Sequence, residues 1–579
     1  MIHHCGKLYQ HAPRSSTMLQ FALNILRGRY FMIFASTLVM AATGGTYNFG
    51  IYSKAIKASL HYDQGHLNML AFSKNLGASI GLVSGLLNQA SPPWMGLALG
   101  AGTNLVGHLM TYLAVTGRTA RPPFGLVFLY AMVGASSQPF ATTAALVTAV
   151  NNFPDNRGLV LGLLTGFAGL SGAIFAQLHR AFDGANDDGA ELLLLMAWLP
   201  AAVYLLLTRA IRIIPRNAAA AAAGTARGRE RKALLHFIYA SVLLAVYLLA
   251  MNVVEATAHH LPKPAYHVAV GVPALLLLLV IPLHIVVKHG VETNTTEPAA
   301  ATIIVTVIKD VNFSSASAPP NERPECAAAD ELTPWPARGE DHSVVQALCT
   351  GDMLLLLLVA GLGIGSLLTA VDNVGQIGQS LGYTQGAISM SVSLLSLSNY
   401  AGRVIAGVVS DWALRRHKAP RPLALAVVNL LAAGGHLSIA VGTRGALYAA
   451  STVAGFCLGA HWPVLFAVIS ELFGIKNFST LYNLAAPASA VGSYILGVQV
   501  AGRLYSREAL RQHGHRDCTG RQCFRVAFLI NAGVAAMLGA TVSLVVASRT
   551  REFYTKLAAS AERRYQDGPA ANMKIHSTV

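Results

Sequence analysis

Two opposite charges stand inside stretches otherwise too apolar to carry them: Lys74 within 66–89, and Asp372 within 352–374. An ionisable group in a bilayer-crossing stretch is costly to bury and marks a solute or ion pathway by default. Lys74 shares a helix face with Gly77 by i,i+3 spacing, on the side of the Gly77/Gly81 stripe, so it faces protein rather than lipid. At 1.5 Å per residue it lies about 12 Å from the outer end of its helix. The chemistry expected is electrostatic. Lys74 attracts an anionic solute, or pairs with Asp372 when the site is empty; a purely structural pair, or a lysine reaching the interface, is the alternative. Tyr47, Asn48, Asn373 and Gln376 add neutral hydrogen-bonding groups. They either orient a solute or satisfy backbone freed at Gly44, Gly45 and Gly375. His461 titrates in the useful pH range and is a candidate for a coupled proton, against a structural histidine. Gln138-Pro139 and His461-Trp462-Pro463 read as proline kinks. There is no GxxxxGK[ST] phosphate loop, no HExxH, no paired His/Cys metal spacing and no nucleophile–base set. An ATP-driven pump, a metal centre and an enzyme are therefore disfavoured, and no cofactor is expected.

The elements that hold these residues are set by composition. Of 579 residues 54% are hydrophobic and 12% charged, with mean hydropathy +0.49; soluble domains carry about 25% charged. Fourteen stretches are long and apolar enough for about 20-residue spans: 30–52, 66–89, 94–116, 124–150, 158–179, 191–209, 234–254, 266–288, 352–374, 386–410, 422–442, 446–470, 479–500 and 526–547. The expected fold is an all-α polytopic membrane protein: two six-helix halves with two extra central helices. The count falls to twelve if 234–288 only lies against the membrane. The divisions are a cytosolic segment 1–29, a first half 30–209, a basic linker with the extra helices 210–288, a disordered cytosolic loop 289–350, a second half 351–547 and a cytosolic tail 548–579.

The net charge of +16 follows from cytosolic loops rather than nucleic-acid binding. Basic clusters at 209–232 and 411–421 thread to the same side as the N-terminus. One basic loop, 503–525, threads outside; there Cys518 and Cys523 either pair in an oxidising compartment or stay as free thiols. The partners expected are a lipid bilayer, in the plasma membrane or an endomembrane, and a small-molecule solute.

A repeat links the two halves. Asn48-x-Gly50 followed by Ser59-Leu60-x-Tyr62-x-Gln64-Gly65 returns as Asn373-x-Gly375 followed by Ser380-Leu381-x-Tyr383-x-Gln385-Gly386. A duplicated six-helix unit with a solute site near the midplane between its copies is a common architecture of secondary transporters.

The motif Gly402-Arg403-x3-Gly407-x3-Asp411-x3-Arg415-Arg416 resembles the loop signature of the major facilitator superfamily. The resemblance implies a cytosolic latch of Gly407, Asp411, Arg415 and Arg416. The first-half copy is degraded: Asn88 stands near the place of the acid. Arg29-Tyr30-Phe31, Gly44-Gly45-Thr46-Tyr47-Asn48-Phe49, Lys74-Asn75-Leu76-Gly77, Asn151-Asn152-Phe153-Pro154 and Asp372-Asn373-x-Gly375-Gln376 resemble the plant nodulin-like branch. That branch implies membrane transporters, likened to oxalate/formate or monocarboxylate carriers; with the repeat and Lys74 the expectation is a secondary active transporter of a small anionic organic solute working by alternating access, and a non-transporting receptor or organiser on the same fold is the alternative. Arg403 and Glu471 are expected near cytosolic helix ends, in topology or latch roles.

Overall fold

The computed structural model describes residues 20, 23–153, 157–183, 189–214, 224–257, 276–296, 335–443, 445–474, 476–512 and 518–566. Within them the chain is helical, with no strand. Fourteen rods follow in the expected order: α1 (29–60), α2 (Gln64–Ala90), α3 (Pro93–Val115), α4 (Phe124–Asn152), α5 (Arg157–Asp183), α6 (Gly189–Leu207), α7 (Gly224–Thr257), α8 (276–296), α9 (351–380), α10 (Gln385–His417), α11 (Pro422–Val441), α12 (Ala446–Phe473), α13 (Phe478–Arg511) and α14 (522–566). Among the described residues, eleven helices are long and apolar enough to cross a membrane, and Arg29–Thr43 and Leu276–His289 are shorter apolar helices. Cys5, Cys326, Asp187, Asp188, Asn312, the alanine run 218–223 and loop residues 297–334 lie outside the description.

The repeat is visible as local structure. His61 and Gly382 both end their helices in the left-handed region, at φ 53° and 78°. Asp63 and Thr384 then cap the next helices, accepting from the amides of His66 and Ala387. The two copies also meet each other. A Cβ at Gly50 would lie 2.8 Å from Val374 Cγ1, and one at Gly375 2.7 Å from the Gly50 carbonyl oxygen. Glycine is thus required at equivalent points where α1 crosses α9. Two further seams join the halves, α2 with α13 and α5 with α10.

Two expectations change. Residues 335–350 are ordered rather than part of a disordered loop. The amides of Gly339 and His342 donate to the carbonyls of Leu472 and Phe473, groups that the end of α12 leaves without a partner in its own helix. Ser343 and Gln346 form a reciprocal cap at the start of Val344–Leu348. The tail expected from 548 is instead a continuation of α14 to Gln566, with Tyr554 fully buried.

Candidate solute cavity and gates

Lys74 and Asp372 do meet, across the boundary between the halves. Nζ of Lys74 is 2.5 Å from Oδ1 of Asp372, with both side chains under a tenth exposed. The second carboxylate oxygen accepts from Asn75 Nδ2 at 2.8 Å, and Asn75 also donates to Ser493 Oγ at 3.2 Å. The Lys74 ammonium stands 5.3 Å from the centre of the Phe49 ring, a cation–π placement. Sequence spacing put the lysine on a protein-facing side; a buried charge must find a partner there, and α9 supplies it.

On the outer side of this pair the halves are closed by amides. Gln64 Nε2 donates to Asn68 Oδ1 at 3.1 Å and to Asn373 Oδ1 at 3.2 Å. Asn373 donates to the Thr369 carbonyl, and Gln376 to Ser53 Oγ at 3.4 Å. Asn48 is fully buried, and among the described residues neither atom of its amide has a hydrogen-bond partner. Three of the four expected neutral site residues therefore stand in or beside the outer closure. The side chain of Tyr47 lies outside the description.

On the other side of the pair from this closure a cavity of about 160 Å³ opens between the halves. Both halves line it: α1, α2, α4 and α5 from the first, α9, α10, α12 and α13 from the second. Lys74 and Arg403 bring two cations to the wall; Gln138, Thr143, Tyr482 and Asn483 bring neutral polar groups, and among the described residues no carboxylate lines it. Arg403 is a correction. It is not near a cytosolic helix end but mid-helix and 6% exposed, its Nε donating to Asn399 Oδ1 at 2.8 Å. The signal was present: Asn399 and Arg403 are one turn apart near the middle of the apolar stretch 386–410. The loop signature that begins at Gly402 drew the reading toward the helix end. His461 faces away from the cavity, into the second half. Its ring contacts the space beside Gly363, and its Nδ1 lies 3.2 Å from the Cys457 carbonyl.

At the end of α10 the ion pairs are made by Arg421 rather than by Arg415 or Arg416. Arg421 binds Asp411 at 2.5 Å and Glu471 at 2.7 Å, and donates to Ser410 Oγ at 3.0 Å. Burial alone would lower its basicity, but the charges of Glu471 and Asp411 hold it above the usual arginine range. Arg415 and Arg416 are exposed and make no ion pair among the described residues. Nothing lies within 4 Å of a Cβ built at Gly407, so the latch does not need that glycine. In the first half Gln89 takes the connecting role, donating to Ser479 Oγ and Thr480 Oγ1 at 3.0 and 3.1 Å. On the outer side Cys518 and Cys523 are joined as a disulfide. Among the described residues no cluster of three or more His, Cys, Asp or Glu side chains could hold a metal ion.

Two repeated helical halves around a buried polar cavity, closed on one side by amides and tied on the other by an ion-pair cluster, define a polytopic membrane protein with a transporter-type fold. Residues 29–287 match the Nodulin-like family model, and 341–556 match that of the NFD4 C-terminal domain. Together the two matched segments span most of the chain, in line with the resemblance of both halves to nodulin-like proteins. It is 24% identical over 549 residues to the protein NUCLEAR FUSION DEFECTIVE 4 of Arabidopsis thaliana, covering 91% of this chain and 90% of that one. Over 167 residues, 28% of this chain and 34% of the other, it is 28% identical to the probable transporter MCH1 of Yarrowia lipolytica. A bacterial homologue of the human lysosomal transporter Spinster, solved inward-facing and unoccupied, shares the fold. Its TM-score is 0.50 at 12% identity, over 92% of this chain and 97% of that one.

Proposed function

We propose that the protein is a secondary active transporter that moves a small organic anion by alternating access. The observation that carries this reading is the cavity wall: two cations, Lys74 and Arg403, and no carboxylate. In a low-dielectric enclosure that wall repels cationic solutes and favours an anion able to accept from a guanidinium. Asp372 already balances Lys74, so Arg403 is the cation that this reading assigns to the solute.

Entry of the anion makes Lys74 exchange one counter-ion for another. Asp372 then loses its charge partner while still enclosed. The exchange also removes the ion pair that bridges α2 and α9, which frees the outer closure to part.

The test is uptake of radiolabelled acetate, lactate and oxalate into proteoliposomes under an imposed pH gradient. Saturable uptake that R403Q abolishes supports the reading. Absence of uptake of all three, with intact folding, favours the non-transporting receptor instead.

A further inference from the structure

The two extra helices are not a bystander to the cavity. α7 packs against α5 of the first half and α10 of the second, so it lies along a seam between them. Its Ser241 is 2% exposed and donates to the Ile238 carbonyl at 2.7 Å. With that hydrogen committed, Ser241 Oγ accepts from the Tyr400 hydroxyl at 2.8 Å. Tyr400 belongs to the same turn of α10 as Asn399, the residue that holds Arg403. This turn is seated on glycines of α5. A Cβ at Gly166 would lie 3.1 Å from the Tyr400 ring, and one at Gly169 would lie 2.9 Å from Asn399 Oδ1. The far end of α7 is anchored too: Glu230 pairs with Arg29 of α1 at 2.7 Å, and His236 lies 3.0 Å from His289 of α8.

We infer that α7, a helix outside the two repeated halves, positions the cavity arginine. The Ser241–Tyr400 hydrogen bond fixes the turn of α10 from which Asn399 aims Arg403 at the solute. A phenol hydroxyl left unpartnered at this depth has no water to turn to, so losing Ser241 forces Tyr400 to move and loosens the turn. Ser241 and Tyr400 are positioning residues; neither lines the cavity. The inference rests on Arg403 binding the anion, and extends that reading to a helix that the repeat does not contain.

The test compares S241A, Y400F, S241T and R403Q in proteoliposomes with whichever of radiolabelled acetate, lactate or oxalate the wild type takes up. S241A and Y400F are expected to raise KM about five- to tenfold, the scale of one lost buried hydrogen bond, with kcat within about twofold. S241T keeps the hydroxyl and restores KM. R403Q abolishes uptake. Quenching of Trp462 fluorescence by the same probe reads binding directly, since that residue lines the cavity. If R403Q abolishes uptake while S241A and Y400F keep the wild-type KM and quenching, the positioning role is wrong and the anion reading stands. Should R403Q leave uptake and quenching unchanged, the anion reading itself fails, and the inference with it.

Discussion

Removing one member of the Lys74–Asp372 pair should cost far more than removing both. The two side chains are 7% and 5% exposed and their charged atoms 2.5 Å apart. Deleting one partner of such a pair leaves an uncompensated buried charge, at about 3–5 kcal/mol, whereas replacing both with neutral groups is often close to neutral. The pair bridges α2 and α9 across the boundary between the halves, so the loss falls on the outer-closed arrangement. About 3 kcal/mol at 1.4 kcal/mol per decade shifts the balance toward the outer-open state on the order of a hundredfold. The assay is labelling of a cysteine placed at Ser53, buried in the outer closure beside Gln376, by a membrane-impermeant maleimide applied from outside. K74Q and D372N should each raise the labelling rate by that order. K74Q/D372N should return most of the way to wild type. Single variants that label at the wild-type rate, or a double variant as fast as the singles, would show that the pair does not hold the closure.

Arg421→Gln leaves Glu471 and Asp411 without their shared cation; it should lower the thermal midpoint, while Arg415→Gln and Arg416→Gln leave it unchanged. Gly459→Ala should be lost or unfolded, because its Cβ would collide with the Asn399 carbonyl, whereas Gly407→Ala meets open space and should express and melt like wild type. Cys518 and Cys523 should resist alkylation until reductant is added; replacing both by serine opens a short loop and costs about 2 kcal/mol by the chain-entropy estimate, visible as a lower midpoint. Burial would raise the Asp63 carboxyl, but hydrogen bonds from the amide and ring of His66 and the ring's charge overcome this and lower it. Its helix cap therefore stabilises the fold at neutral pH and is lost on acidification. The gap in midpoint between D63A and wild type, about 1 kcal/mol for an N-cap, should hold down to the ordinary aspartate value of 3.8 and close below it. A gap that widens at low pH would reverse that sign.

The architecture was legible because each rod is a continuous apolar run and each connection a polar one, signals that survive at single-sequence level. The Lys74–Asp372 pair was legible for the same reason: a charge inside an apolar run has few ways to be satisfied. Arg403 was misplaced because its position was taken from a motif that starts beside it rather than from its depth in the stretch 386–410. Sequence cannot say which of several neighbouring arginines reaches Asp411. Arg421 does so because it stands next to the start of α11, facing the end of α12, while Arg415 and Arg416 continue α10 into solvent. The order in 335–350 comes from the unpaired carbonyls of α12, a long-range partner that no local pattern announces.

Duplication explains the scaffold but not the chemistry, and the difference locates function. Counted from Asn48 and Asn373, Asp372 falls opposite Tyr47; counted from Gln64 and Gln385, Lys74 falls opposite Leu395 and Arg403 opposite Leu82. The glycines that let the copies touch are kept at equivalent points, at Gly50 and Gly375, whereas each charge at the cavity stands opposite an uncharged residue. Such asymmetry has a physical use. If both copies carried a lysine on the second helix and an acid on the first, each half could pair across the boundary in the same way, and a single anion would release only one of two bridges. On the transport reading proposed above, one pair lets one solute unlock the outer closure, and Arg403 on the other half keeps that solute held by both halves while they move.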